Sequence, residues 1–175
     1  FPAQGFENLL ALARARFPFI MILGIDPGAS GGFAWVHDKK VGTIKMPQSD
    51  SEIIEELNRL SKLNLPDAPI CFLEKVSGFI GKPQPGSRMF KFGKGYGFLL
   101  GAMMSMKYQI HLVTPQKWQK NLGLGTRGER TPSEWKRFLK DEAQRLYPRQ
   151  RVTLAVADSL LILQFAIQNH FEIKS

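Results

Sequence analysis

Short apolar runs separated by polar, glycine-containing turns occupy much of the chain and predict strands. Residues 20–25 form a continuous apolar run, which is typical of a strand buried on both faces. The next two runs flank Asp38-Lys39-Lys40, which predicts a hairpin that turns at these three residues. In all, the pattern predicts five strands, at residues 20–25, 32–37, 41–46, 70–74 and 109–113.

Helix-start signals lie between and after these strands. Ser49 and Glu52 have the spacing of a capping box, and Thr131 and Glu134 repeat that spacing later in the chain. Thr114-Pro115 supplies an N-cap with proline at the first helical position. The predicted helices are a short one that holds Trp118 and four longer ones at residues 49–63, 87–107, 131–147 and 152–170.

The order of strands and helices predicts an α/β fold. A meander of three strands followed by strand–helix alternation implies a five-stranded mixed sheet flanked by helices. At 175 residues, the chain is long enough for one domain with a substantial core. We expect that domain at residues 21–175, with residues 1–20 as an N-terminal extension. An organelle-targeting remnant is the alternative for this extension, because the segment contains arginine and few acids.

Three acids stand in apolar surroundings. Asp26 ends the first strand and opens a glycine-rich turn, Glu74 ends the fourth strand, and Asp158 lies inside the apolar run 154–162. Singly, Asp26 is compatible with a turn acid and Glu74 with an ion-pair partner of Lys75. Asp158 is more informative, because on a helix it would point inward. Its helical face would also hold Leu154, Leu161, Ile162 and Phe165.

These carboxylates indicate a shared cation. Burying an unpaired carboxylate costs roughly several kcal/mol, so three of them in apolar settings need a partner of opposite charge. Oxygen ligands with no His or Cys nearby select Mg²⁺ or Mn²⁺ over zinc. Two such ions about 3.5–4 Å apart activate a water and stabilise the leaving oxygen in phosphodiester hydrolysis. On a basic chain, this set of acids predicts cleavage of nucleic acid.

The net charge is +9, and its distribution is more informative than its size. Residues 82–151 carry fifteen Lys/Arg and four acids, a net charge of +11, whereas the rest of the chain is slightly acidic. This regional excess favours nucleic acid as partner over an anionic membrane, because no amphipathic stretch has a mainly Lys/Arg polar face. No apolar stretch reaches the roughly 18 residues of a membrane span. The lone Cys71 excludes an internal disulfide and fits a reducing compartment.

Several motifs, in this order and spacing, resemble the RuvC-type Holliday junction resolvases, which have the RNase H-like fold. Those around the acids are Leu23-Gly24-Ile25-Asp26-Pro27-Gly28, Phe72-Leu73-Glu74-Lys75-Val76 and Ala157-Asp158-Ser159-Leu160-Leu161-Ile162. The glycine-spaced segment from Phe92 to Gly101 is similar to the family's helix after the second acid. Two more segments resemble the phage and RuvC-like branch, Thr114-Pro115-Gln116-Lys117-Trp118 and Leu122-Gly123-Leu124-Gly125. The resemblance covers residues 21–168.

The resemblance implies a Mg²⁺-dependent endonuclease, with Mn²⁺ as a substitute. Such an enzyme works as a homodimer and nicks two opposed strands of a four-way DNA junction. By motif match, Asp26, Glu74 and Asp158 would be its catalytic metal ligands. We expect a cytoplasmic protein, bacterial or phage-encoded, with no membrane partner. Many RuvC members carry another acid three residues before the last one, and Ala155 occupies that position here.

Residues after Glu74 are the predicted contacts to DNA and to a second subunit. Phe79 is either a wedge that unstacks bases or a loop anchor, and basic residues would contact phosphates. The predicted DNA-binding set is Phe79, Lys82, Arg88, Lys91, Lys94, Lys117, Lys136 and Arg137. Gly93, Gly97 and Gly101 let their helix approach a neighbour closely, either the sheet or a second subunit. The predicted dimer contact on this helix is Phe90, Leu99, Met103 and Met106.

Two other functions stay open. The same fold and acids also suit a nuclease that cleaves RNA or an RNA–DNA hybrid. A DNA-junction-binding protein with an incomplete metal site, and with weak or no cleavage, is motivated by Ala155. A cleavage assay on a four-way junction, a hybrid and a plain duplex separates these functions.

Overall fold

A computed structural model describes residues 21–76 and 85–172 of the chain. Its strands are β1 (Ile22–Asp26), β2 (Gly32–His37), β3 (Lys40–Lys45), β4 (Ile70–Glu74) and β5 (Gln109–Val113). Its helices are α1 (Asp50–Leu63), α2 (Gly86–Ser105), α3 (Pro115–Asn121), α4 (Pro132–Leu146) and α5 (Ala157–Glu172). The strands form one sheet in the order β3-β2-β1-β4-β5. β1, β2 and β3 are antiparallel, whereas β1, β4 and β5 are parallel, which confirms the predicted mixed sheet.

Local signals in the sequence account for most element ends. Asp38 and Lys39 both have positive φ angles, as a tight two-residue hairpin turn requires. Ser49 caps α1 and Thr131 caps α4, each through the predicted capping box. The Thr114 side chain accepts a hydrogen bond from the backbone N–H of Lys117 and caps α3. These caps confirm the predicted first residues of the three helices.

The alternation of side chains along β1 divides the protein into two cores. Leu23 and Ile25 face α1 and α2, in a core that includes Leu57 and Met103. Ile22 lies in the other core, with residues of α3, α4 and α5, and residues 24 and 26 share its face of the strand. β1 is therefore buried on both faces, as its continuous apolar run predicts.

The last helix begins later than the sequence pattern predicts. α5 starts at Ala157, whereas residues 152–156 form a turn in which the Thr153 carbonyl accepts hydrogen bonds from Val156 and Ala157. Leu154 is 55% exposed and does not share a helical face with Asp158, so that part of the prediction is wrong. Apolar periodicity does not distinguish a helical turn from a loop of similar composition. The correction places Asp158 in the first turn of α5.

One face of α2 has no neighbour among the described residues. No described atom lies within 4 Å of the position that a Cβ would take at Gly93, Gly97 or Gly101, so these glycines do not pack on the sheet. Phe90 and Met104, at 76% and 65% exposure, continue the same face at helical spacing. We call these five residues the α2 stripe. No described helix, α2 included, has the length and apolar character needed to cross a membrane.

α5 crosses β1 at Gly24, and the crossing leaves no room for a side chain. A Cβ at Gly24 would overlap the backbone of Ser159, Ile162 and Leu163. Since these are main-chain atoms, the helix itself would have to move. The bare backbone of Gly24 thus sets the distance between α5 and the sheet.

We therefore predict that Gly24→Ala lowers the free energy of unfolding by roughly 1–3 kcal/mol, as overpacking of a core does. Gly95→Ala is the control, because no described atom lies near its Cβ position and alanine favours a helix by about 1 kcal/mol over glycine. Urea denaturation of both variants measures the difference. Equal stabilities would contradict the close crossing.

Candidate active site

Two of the three predicted acids end neighbouring parallel strands. Asp26 is the last residue of β1 and Glu74 the last of β4, and the two strands pair up to Ile25 and Leu73. By strand alternation, both acids share the sheet face that packs against α5. Parallel strands end at the same edge of a sheet, so both carboxylates lie at one place.

Asp158 reaches this place from the first turn of α5. Ser159 donates a hydrogen bond of 2.9 Å from its hydroxyl to the Val156 carbonyl, which holds the start of the helix. The close crossing at Gly24 holds this helix against β1. The structure thus brings the three acids within electrostatic range of one another, as their pKa values show.

All three carboxyl groups have raised pKa values, and burial is the main cause. Burial and then the charge of Asp26 raise the pKa of Glu74 to about 7, and Asp158 adds a smaller effect. Burial and Asp26 raise the pKa of Asp158 to about 6. Burial also raises the pKa of Asp26 itself. The positive charge of the exposed Lys136 opposes the rise in pKa of all three acids, so its amine lies close enough to affect each of them.

A glycine turn wraps the carboxylate of Asp26. The Gly28 N–H donates a hydrogen bond of 3.2 Å to Asp26 Oδ1, and the Gly31 N–H donates one of 2.8 Å to the Gly28 carbonyl. A Cβ at Gly31 would lie 2.6 Å from Asp26 Cγ, far inside van der Waals contact. The turn therefore requires glycine at position 31 to leave space for the carboxylate.

Trp118 holds Glu74 and was not predicted as a site residue. Its side chain is only 1% exposed, and its indole N–H donates a hydrogen bond of 2.9 Å to Glu74 Oε2. This bond opposes the rise of the Glu74 pKa. The position of Trp118 in the sequence is a signal for its role, because the helix that follows β5 begins at the sheet edge where β4 also ends. One oxygen of Glu74 is thereby fixed against the indole, and the other is left for a further partner.

The chemistry of these side chains fits a hard cation, although a complete ligand shell is not formed. Among residues 21–76 and 85–172, no three His, Cys, Asp or Glu side chains are close enough to surround one ion. An all-oxygen, desolvated donor set is the type that Mg²⁺ or Mn²⁺ prefers. Ala155 supplies no oxygen from its side chain at its position before α5.

The predicted DNA contacts fall on three helices. Lys136 and Arg137 lie exposed on α4, and Lys117 lies exposed in the first turn of α3, near the edge where the acids lie. Arg88, Lys91 and Lys94 are exposed on α2, which packs on the opposite face of the sheet from α5. Phe79 and Lys82 lie outside the described residues. Of these residues, Lys136 lowers the pKa of Glu74 through its positive charge.

Comparisons with known proteins bear on the fold. No protein-family model and no curated protein matches the sequence. Among solved structures, Thermus thermophilus RuvC has a TM-score of 0.55 and 16% identity, over 87% of this chain and 97% of that one. T. thermophilus RuvC in complex with Holliday junction substrate matches with the same TM-score and identity, over 87% and 96% of the two chains. This chain therefore has an RNase H-like fold similar to that of T. thermophilus RuvC.

Proposed function

We propose that this protein is a metal-dependent endonuclease that resolves four-way DNA junctions by paired phosphodiester hydrolysis. The observation that carries the proposal is the cluster of Asp26, Glu74 and Asp158, which come from three elements and are desolvated together. The similarity of the fold to RuvC, including RuvC bound to a Holliday junction, supports a branched DNA substrate. The basic region 82–151 supports a polyanionic partner.

Each residue of the site has a defined task in this proposal. Asp26, Glu74 and Asp158 would hold Mg²⁺, or Mn²⁺ in its place. When bound, the metal would supply an activated water and stabilise the leaving oxygen. Trp118 keeps Glu74 in one orientation through its hydrogen bond. Lys136 attracts the phosphate of the substrate toward the acids, since its charge already acts on all three.

Phosphate contacts around the site supply most of the affinity for DNA in this proposal. Lys117, Lys136 and Arg137 are the proposed contacts on the α5 side of the sheet. Arg88, Lys91 and Lys94 are the proposed contacts on α2, where more distant arms of a junction would lie. Phe79 and Lys82 remain proposals that rest on the sequence.

A second candidate is a junction-binding protein with little or no cleavage. Two observations favour it. Ala155 stands where many RuvC members have an acid, and the three carboxylates do not form a complete ligand shell among the described residues. Both candidates predict binding to a four-way junction. Only the endonuclease requires cleavage that depends on Mg²⁺, so the divalent-ion dependence of cutting separates them. A preference for RNA or a hybrid over the junction would instead support the RNA-cleaving alternative.

We also propose a homodimer, because two opposed cuts need two matched sites and each chain supplies one. The structure changes the proposed contact: Leu99 and Met103 lie in the core and are excluded from it. The α2 stripe takes their place, since its small residues leave space for a second helix and its two large apolar residues are exposed.

We predict that Asp26→Asn, Glu74→Gln and Asp158→Asn each reduce junction cleavage in Mg²⁺ by about 100-fold or more, because each removes one charged ligand. Binding to the junction without divalent ions should be retained, since the basic surfaces are unchanged. Glu55→Gln, an exposed acid on α1, is the matched control. Near-normal cleavage by any of the three variants would remove that residue from the site.

The raised pKa of Glu74 predicts a pH-dependent stability in the absence of divalent ions. The folded-state pKa of about 7 exceeds the ordinary value of 4.5, so the stability present below pH 4.5 is lost as the pH rises through 7. Asp158, with a pKa of about 6, acts in the same direction. Glu74→Gln should therefore lose less unfolding free energy than the wild type between pH 5 and pH 8. Urea denaturation of both proteins in a chelator measures this, and parallel pH curves would contradict it.

The dimer proposal predicts that sedimentation velocity at micromolar concentration shows a dimer. Phe90→Glu should shift the protein to monomer, because it places a charge in the apolar contact. Ile54→Glu, a partly exposed residue on α1, should leave the dimer intact. A monomer in the wild type, with and without junction DNA, would rule the dimer out.

A further inference from the structure

A groove of about 820 Å³ opens next to Asp26, whose carboxylate lies against Gly31 of the groove lining. It lies between the turn after β1, the end of β3, α4 and the segment that precedes α5. The residues that matter for its chemistry are Ser30, Gly31, Lys45, Gln48, Lys136 and Thr153. We call it the lysine groove.

The sheet register places Lys45 beside the acids. Asp26 of β1 pairs with Gly32 of β2, and Gly32 pairs with Lys45 of β3. Paired residues share a face, so Lys45 lies on the same side of the sheet as Asp26, with roughly 10 Å between their Cα atoms. At Gly32, between them, the Ala155 carbonyl oxygen and the Val156 side chain cover the sheet. The groove adjoins the acidic site at Gly31, which lines the groove and closely approaches the carboxylate of Asp26.

The charge of the groove is opposite to that of the acidic site. Lys45 and Lys136 are both exposed, and no Asp or Glu belongs to the described lining. Within residues 21–76 and 85–172, neither amine is in ion-pair distance of a carboxylate. Two such amines over one concave surface attract a chain of phosphates rather than a cation.

Leu154 lies at the rim of the lysine groove and is 55% exposed. It therefore offers an apolar surface to a sugar or base beside the two amines.

We propose that the lysine groove binds the sugar–phosphate backbone of the strand being cut, directly next to the scissile phosphate. Lys45 and Lys136 contact phosphates of that strand, and Leu154 lies at the rim of the groove against its sugars or bases. The inference rests on the proposed nuclease function, since it takes the acids as the point of cleavage. It adds Lys45, which lies outside the basic region 82–151, to the DNA-binding surface.

Lys45→Gln tests the proposal, with Lys40→Gln as the matched control. Both lysines are exposed on β3, but Lys40 lies at the opposite end of the strand, roughly 16 Å away. Loss of one phosphate contact should weaken junction binding about eightfold at 0.1 M salt and reduce the slope of log affinity against log salt by about 0.9. Lys40→Gln should change neither quantity. Equal effects of the two variants would overturn the proposal.

Methylphosphonate scanning locates the contact. Junctions with one neutral linkage, placed in turn on each side of the cut, should abolish the effect of Lys45→Gln at one position only. An effect of Lys45→Gln that persists at every position would overturn the assignment to the cut strand.

These measurements separate the groove from the nuclease proposal. Binding is measured without divalent ions. A wild type that binds the junction but does not cut it in Mg²⁺ overturns the proposed cleavage and the assignment of the groove to a cut strand, whereas weaker binding by Lys45→Gln would still support the phosphate contact. If the wild type cuts the junction and Lys45→Gln binds as tightly as the wild type, only the proposal for the lysine groove is overturned. A wild type that binds no nucleic acid overturns both.

Discussion

The close crossing of α5 over β1 is the constraint on which the rest of the structure depends. β1 has no side chain at Gly24, so the helix backbone rests directly on the strand. This contact buries the second face of β1 and places the first turn of α5 above the end of the strand. Asp158 and Asp26 come together for that reason, although 131 residues separate them in the sequence. A larger residue at position 24 would separate the helix from the sheet and the two acids from each other.

This arrangement is costly, and several neighbours reduce the cost. Burial raises the pKa values of all three carboxyl groups, and the charge of Asp26 raises those of Glu74 and Asp158 further, which opposes folding at neutral pH. The Trp118 indole, the Gly28 amide and the charge of Lys136 each oppose that rise. These three groups do not cancel the rise in pKa, so any cation that bound the acids would stabilise the folded state. The proposed binding of a divalent cation would therefore offset the stability lost at these acids.

Local patterns predicted most of the fold and singled out the three acids that the structure brings together. Caps such as Ser49 and Thr131 act within four residues, and buried strands are continuous apolar runs, so both can be read from short segments. The start of α5 was misplaced because Leu154 continues the apolar pattern although it faces solvent. Trp118 and Lys45 were missed for another reason. Their relation to Glu74 and Asp26 depends on strand register, which connects residues 44 and 19 positions apart.

The two proposed surfaces lie on opposite sides of the sheet, which makes them compatible. α2 packs on the face formed by Leu23 and Ile25, and the α2 stripe points away from that core. The lysine groove lies on the α5 side, at the strand ends. Association through α2 would therefore leave the acids and the groove of each subunit open to DNA. A junction with two-fold symmetry would then meet two such sites.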